Sequence, residues 1–317
     1  MNFMRIEKNI FCRAAAMLLP ALFSVGVSAQ SSEALPFTRT SRDPVSLAMG
    51  GTSVTRTSGM SYASFSNAAA IPFSDDTFDA SASYLGWQPS ASPVQTMSAG
   101  AAWNAGGKFG IAAGFSYGIC EEYEIMNASG QAAGSFSPSE IQANIGLAWR
   151  FLPFISVGAD VKYLGNTLAE GQSYSTVSSD IFLMSEFSSF RAAIGVSSLG
   201  SKVRSASGES FSLPASATLG LGYGDVFGQR HGVEVLVDAD CYFSGAFSAA
   251  AGASYTYNDM VSVRAGYRYG GDSVIPSFAS VGAGVKLFGV RLDAAYLIAS
   301  GDSPLKNTFC IGIGYSF

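Results

Sequence analysis

TFCIGIGYSF, residues 308–317, ends the chain. Taken with a period of two, Phe309, Ile311, Ile313, Tyr315 and Phe317 fall on one face, and Cys310, Gly312, Gly314 and Ser316 fall on the other. Such alternation marks a strand whose two sides meet different surroundings. A strand of a soluble protein hides its large side chains and shows charge to water. This one would show glycine, serine and cysteine instead, so its large side chains are expected on the outside, against lipid.

The composition points the same way. Charged residues make up 13% of the 317 positions, against roughly 25% in an ordinary soluble domain. Hydrophobic residues reach 48% and the mean hydropathy is mildly positive. A helical membrane protein needs runs of about 20 apolar residues, and after residue 30 polar or glycine positions interrupt every apolar stretch. A membrane-spanning chain without such helices must close into a β-barrel, because only closure satisfies every backbone amide inside hydrocarbon.

Residues 1–29 read as a signal peptide: Arg5, Lys8 and Arg13 precede the apolar AAAMLLPALFSVGVSA, and Val27-Ser28-Ala29 is a small-residue cleavage site. Cys12 precedes that apolar run, which argues against a lipoprotein. Cleavage takes the net charge from −5 to −7, which gives no support for nucleic-acid binding. Cys120, Cys241 and Cys310 remain, an odd number that argues against a disulfide framework. Cys120 and Cys310 would lie about 14 Å apart along the wall, beyond the roughly 7 Å Cα separation that a disulfide spans.

From Phe78 onward about fourteen strands follow one another, giving an all-β transmembrane antiparallel barrel over residues 77–317. Lys108–Ile119, Glu140–Arg150, Phe154–Leu164, Met260–Gly270 and Val290–Leu297 each place aliphatics and charges on opposite parities. A Lys or Arg facing lipid at mid-bilayer would cost roughly 2–4 kcal/mol. Aromatics gather near strand ends, where interfacial girdles belong. Tight connections at 104–107, 151–153, 188–189, 258–259 and Gly289 alternate with longer ones near 121–138, 165–172, 198–214, 270–277 and 300–306, and GDVFGQ (224–229) is the long member of the tight set. Tyr174–Phe187 departs from the scheme, since Phe182 and Met184 share the parity of Asp180. A large soluble β-sandwich is the competing architecture.

Residues 43–75, DPVSLAMGGTSVTRTSGMSYASFSNAAAIPFSD, do not alternate. Small residues, the Gly50-Gly51 turn, and Pro44 and Pro72 as stops make this a compact non-strand segment. A barrel of about fourteen strands is too wide for its own side chains to fill, so the segment is expected in the lumen as a hatch, after a linker at 30–42. An exposed periplasmic linker is the alternative.

DPVSLAMGGTSV followed by SNAAAI resembles the N-terminal hatch of fatty-acid-transporter-type (FadL-like) barrels, with Met49-Gly50-Gly51 as the hatch turn and Asn67 at the later motif. More specifically, the chain resembles the PorV/PorQ family of Bacteroidetes outer-membrane proteins, through GQAAGSFSPSEIQANIGLAWR, GVSSLGSKV, LPASATLGLGY and YNDMVSVRAGYRYGG. The likeness spans about Asp43 to Phe317. It departs at Asn67, which is followed by Ala68 where the family has proline. The resemblance implies a Gram-negative outer-membrane location. It also implies either a type IX secretion component that binds secreted cargo or a surface-exposed partner through the outer loops 121–138 and 198–214, or a FadL-like transporter of a hydrophobic molecule.

The residues show little catalytic chemistry. His231 stands alone beside the 224–229 turn, no Cys/His cluster has metal-ligand spacing, and Gly282-x-Gly284 lacks the rest of a nucleotide site. No enzyme activity and no cofactor are expected, and Asn127-Ala128-Ser129 is a chance glycosylation match. Asp160, Lys162, Arg191, Glu234, Asp238, Asp240, Arg264, Arg268, Lys286, Arg291 and Asp293 have lumen parity, and mixed signs on neighbouring strands suit a paired lattice around a plug or a polar path for cargo. Lumen-parity positions look mostly small or charged, which favours the secretion reading over the transporter. Tyr315 and Phe317 give the chain the aromatic end that barrel-assembly machinery recognises. The remaining expected partner is outer-membrane lipid.

Overall fold

The computed structural model describes residues 34–88, 93–127, 130–169, 171–204, 210–270, 275–301 and 303–317. The expected signal peptide, the start of the expected linker and most of the sequon at 127–129 lie outside these residues.

Fourteen strands close into an antiparallel barrel. They are β1 (Phe78–Trp87), β2 (Val94–Ala105), β3 (Phe109–Cys120), β6 (Ser139–Leu152), β7 (Ile155–Ala169), β8 (Gln172–Phe187), β9 (Phe190–Gly200), β12 (Ser216–Phe227), β13 (His231–Tyr242), β14 (Phe247–Tyr257), β15 (Val261–Tyr269), β16 (Phe278–Leu287), β17 (Val290–Ile298) and β18 (Phe309–Ser316). Two small hairpins stand on the outer loops: β4 (Tyr123–Met126) with β5 (Ala132–Phe136), and β10 (Val203–Arg204) with β11 (Ser210–Phe211). Strand β1 pairs with β18 from Asp79↔Ser316 to Gly86↔Phe309, which closes the cylinder.

The final strand has the expected sidedness: Ile311 and Ile313 are 52% and 53% exposed, while Cys310 is fully buried. The same outward set continues round the wall in Ile145, Leu147, Val161, Val237, Val263 and Leu292. A soluble sandwich would bury these side chains between two sheets; here they form the outer surface of a closed barrel. Near β1–β3 the outer face steps down to Ala80, Ala82, Ala99, Ala101 and Ala113. They floor a recess of about 620 Å3 beside Phe115, Ile313 and Tyr315, on the side away from the lumen.

Two connections differ from expectation. Residues 165–172 are mostly strand: β7 runs on to Ala169 and β8 starts at Gln172, with Glu140↔Asn166 and Ser139↔Thr167 extending the ladder. Beyond the bilayer the ladder needs no apolar alternation, so this polar stretch looks like a loop in sequence. GDVFGQ is also mostly strand, since β12 pairs through Val226↔Gly232 and Phe227↔His231. All six connections at that end are therefore tight, which sharpens the contrast with the long loops at the other end.

Candidate functional site

The non-strand segment lies inside the barrel. Asp43 caps the helix α1 (Pro44–Ala48): its carboxylate accepts the backbone N–H groups of Val45 and Ser46 at 3.1 Å each and the Ser46 hydroxyl at 2.7 Å. Arg56 folds back to form a buried ion pair with the same carboxylate. Gly50 and Gly51 turn the chain with φ of 74° and 82°, a left-handed conformation that glycine adopts without strain. Two 3-10 segments follow, Met60–Phe65 and Ala68–Phe73. Asn67 caps the second, accepting from Ala69 N–H at 2.9 Å and donating to the Val54 carbonyl at 2.7 Å. Asn67 can cap because its side chain bonds locally, and Ala68 behind it is compatible with that turn.

The wall holds this segment chiefly by its backbone. Asp238 accepts the N–H groups of Ser53 and Val54 at 2.8 and 3.2 Å. Asp79 accepts that of Ser61 at 3.2 Å and Asp160 that of Ala68 at 3.3 Å. In the other direction Arg268 donates to the carbonyls of Gly50 and Gly51 at 2.9 and 3.2 Å, and Lys162 to that of Phe65 at 3.1 Å. Ser280 bridges both senses, accepting from Gly50 N–H and donating to the Ala48 carbonyl, each at 2.9 Å. The bonds from the Arg268 and Lys162 cations are of the stronger, charge-assisted class, and together these bonds answer the backbone polarity of an irregular buried segment.

The lumen glycines are seats for that backbone. A β-carbon on Gly266 would come within 2.1 Å of the Met49 carbonyl carbon, on Gly252 within 2.4 Å of the Met49 oxygen, and on Gly158 within 2.2 Å of Ala69 N. A β-carbon on Gly100 would come within 2.1 Å of the Ser61 carbonyl oxygen, and one on Gly312 within 2.9 Å of the Pro44 ring. The lumen glycines of β2, β7, β14 and β15 thus admit the inner segment at backbone distance, while Gly314 of the final strand makes room for the Ser81 and Arg291 side chains.

The remaining lumen charges pair along the wall: Lys162 with Asp180, Arg191 with Glu234 at 2.7 Å, Arg264 with Asp293 at 2.7 Å, and Arg268 with Asp240 at 3.3 Å. Arg291 takes Asp79 at 2.9 Å and Asp293 at 3.8 Å. Of the residues singled out in sequence, Asp160, Lys162, Arg191, Glu234, Asp238, Asp240, Arg264, Arg268, Arg291 and Asp293 all line the lumen, whereas Lys286 meets exposed Asp259 at the rim. Their counter-charges Asp79 and Asp180 were readable by parity in β1 and β8. The Asp43–Arg56 pair, within a segment that has no period, was not. His231 Nδ1 lies 2.7 Å from the Tyr255 hydroxyl beside the Tyr257 ring, an exposed polar residue at the rim. Cys120, Cys241 and Cys310 are all unpaired.

Apolar lining is more extensive than parity suggested. Leu85, Leu164, Phe182, Met184, Leu236, Phe278 and Leu297 are buried wall residues directed inward, so the lumen face is not merely small or charged. In the outer half, Leu85, Phe278, Leu297, Leu305 and Ile275 form one cluster, and Leu164, Val203 and Leu213 form another around Leu35 and Phe37. Trp87 packs against both and makes them continuous. Leu35 and Phe37 therefore occupy an apolar chamber, and Ala34 N–H reaches the Ser212 carbonyl at 3.0 Å, so this segment is packed inside the barrel where a linker was expected. Below this chamber lies a polar cavity of about 150 Å3, lined by Arg42, Lys162, Asp180, Asp238 and Asp240 together with Val54, Phe65 and Phe182. Burial pushes the Arg42 guanidinium below its ordinary pKa, against the nearby Glu140 carboxylate, and its Cζ lies 5.6 Å from the centre of the Phe37 ring.

No protein-family model matches the chain, and no curated protein matches its sequence. Solved structures do. The toluene transporter TodX of Pseudomonas putida aligns with a TM-score of 0.62 at 15% identity, over 86% of this chain and 97% of that one. The Ralstonia pickettii toluene transporter TbuX aligns with a TM-score of 0.61 at 13% identity, over 86% and 97%. A Pseudomonas aeruginosa FadL homologue aligns at 0.53 and 12%, over 92% and 100%. The fold is thus that of the FadL-like barrels, and the likeness covers nearly the full length of those chains.

Proposed function

We propose that this protein is an outer-membrane channel that passes a small hydrophobic molecule. The observation that supports this most is the apolar chamber of Leu85, Trp87, Leu164, Phe278 and Leu297, set in the outer half of the lumen and filled in part by Leu35 and Phe37. Buried leucines and aromatics with few polar groups suit an apolar ligand, and the fold neighbours include proteins described as toluene transporters. This is the reverse of the preference that the sequence suggested, because the inward leucines were not separable from outward ones by composition.

The test uses the three tryptophans. Trp103 and Trp149 lie on the exposed outer face, so Trp103→Phe and Trp149→Phe leave Trp87 as the sole reporter. Nitrobenzene, a small aromatic quencher, is expected to quench Trp87 saturably, and cells carrying the protein to take up radiolabelled toluene faster than cells without it. Quenching that rises linearly without saturation, with equal uptake by both cells, rejects the reading.

A second reading is a PorV/PorQ-type secretion component that binds cargo or a surface partner. It is favoured by the β4–β5 hairpin, which carries exposed Tyr123 and Met126 on the loop 121–138. Co-purification of a secreted or surface protein in mild detergent, lost when that hairpin is deleted, supports it.

A further inference from the structure

Resting on the passage of a hydrophobic molecule proposed above, we infer that Phe182 and Met184 of β8 are its gate from the lumen cavity to the periplasmic end of the barrel. These are the two residues whose inward parity breaks the pattern of β8, and both are buried, at 2% and 0%.

The inner segment is fastened to much of the wall by polar side chains: Asp79 with Arg291 on one side, Asp238, Arg268 and Ser280 on another, and Asp160 with Lys162 on a third. Along β8 and β9 the contact is mainly apolar, apart from the hydrogen bond that Arg191 donates to the Thr57 hydroxyl at 2.8 Å. There Phe182, Met184 and Ala193 pack against Val54, Ala69, Ala70 and Phe73. Val54 and Phe182 also line the polar cavity, so this interface begins where the cavity ends. At its other end the Arg150 guanidinium lies 4.5 Å from the centre of the Phe73 ring and donates to the Pro72 carbonyl at 3.3 Å and, through Nε, to that of Pro153 at 2.9 Å. The file from cavity to rim is therefore Phe182 and Val54, then Met184 with Ala69 and Ala70, then Phe73 under Arg150.

A second apolar interface, of Met60, Ala63, Ala68 and Ile71 against Ala102, Ala112 and Ala148, does not reach the cavity, and its wall residues are alanines with no side chain to move. Phe182 and Met184 can move. The Phe182 ring lies across Gly195, where a β-carbon would sit 2.2 Å from it, so no side chain of that residue stands beside the ring. Met184 has three flexible bonds and a weakly accepting sulfur, which Asn67 Nδ2 approaches only to 4.0 Å. A hydrophobic molecule could part these side chains without breaking an ion pair.

The full barrel reconstituted in a planar bilayer tests this without any substrate. The unmutated protein is expected to be nearly closed to ions. The double variant Phe182→Ala/Met184→Ala should conduct at least tenfold more, and Ile71→Ala, at the second interface, should stay closed. Ala193→Leu fills the file and should lower toluene uptake at least tenfold while saturable nitrobenzene quenching of Trp87 persists. A double variant as closed as the unmutated protein, an equal leak in Ile71→Ala, or unchanged uptake in Ala193→Leu overturns the gate. Loss of saturable quenching in the unmutated protein instead overturns the transport reading, so the two failures are distinct.

Discussion

Arg291 of β17 and Asp79 of β1 form a two-pronged pair, at 2.9 and 3.1 Å, across the strand β18 that separates them, and the Asp79 side chain is completely buried. Asp79 also accepts the Ser61 N–H, and Arg291 also donates to the Ser61 hydroxyl at 3.1 Å. One pair thus clamps both the closing seam of the barrel and its inner segment. Asp79→Ala leaves Arg291 buried without its main counter-charge, an error that costs about 3–5 kcal/mol. The temperature at which the unboiled barrel loses its compact gel mobility should fall, and residues 43–75 should become open to protease. Unchanged values for both would mean the clamp carries no weight.

Gly266 tests the seat. Its β-carbon would meet the Met49 carbonyl carbon at 2.1 Å, and backbone cannot swing aside as a side chain can. Gly266→Ala is expected to cost about 1–3 kcal/mol by overpacking, expressed as a displaced Met49–Gly51 turn within an intact barrel. Labelling of a cysteine placed at Thr52, buried in the native protein, should speed up while the β-sheet circular dichroism stays constant.

Asp43 sets an acid limit. Burial alone would raise its pKa, but the Arg56 guanidinium, the Ser46 hydroxyl and N–H, and Arg291 outweigh it and bring the value below the ordinary carboxylate range. A carboxylate depressed by folding contributes stability that is complete above its unfolded pKa, about 4, and lost as pH falls through the folded value. Trp87 emission should therefore hold from neutrality to about pH 4 and change only below it. Asp43→Asn should show a loosened segment already at pH 7, and an acid transition no different from that of the unmutated protein would exclude Asp43 as its source.

Ile313 and Gly312 are adjacent and opposite. Ile313→Arg places a cation against hydrocarbon, at roughly 2–4 kcal/mol if near the bilayer midplane. Gly312→Ala instead pushes a methyl group towards Pro44, 2.9 Å from its ring. The first should impair insertion and leave the inner segment untouched in whatever protein assembles; the second should insert normally and loosen α1. Yields from outer-membrane fractions and protease sensitivity separate the two, and a reversed pattern would invert the sidedness of the barrel.

Alternation by itself determined the architecture. A period of two, carrying aliphatics on one parity and glycine or charge on the other, specifies a strand between lipid and lumen, and fourteen such strands need closure because hydrocarbon offers no partner to an open edge. The strand limits failed at 165–172, where pairing outlasts the bilayer and needs no alternation. Parity could say that Gly252 and Gly266 face inward, yet not that the Met49 turn lies on them, since that contact joins residues some 200 positions apart. Nor could it show why Phe182 and Met184 share a face with Asp180, or that Leu85, Leu164 and Leu297 gather round Leu35 and Phe37. Which inward residues meet the inner segment depends on where that segment lies along the cylinder, and its path follows from backbone hydrogen bonds to Asp238, Arg268 and Asp79 that leave no period in the sequence. Only the tertiary structure brings those partners together, because each bond depends on a distance in space that no spacing along the chain encodes.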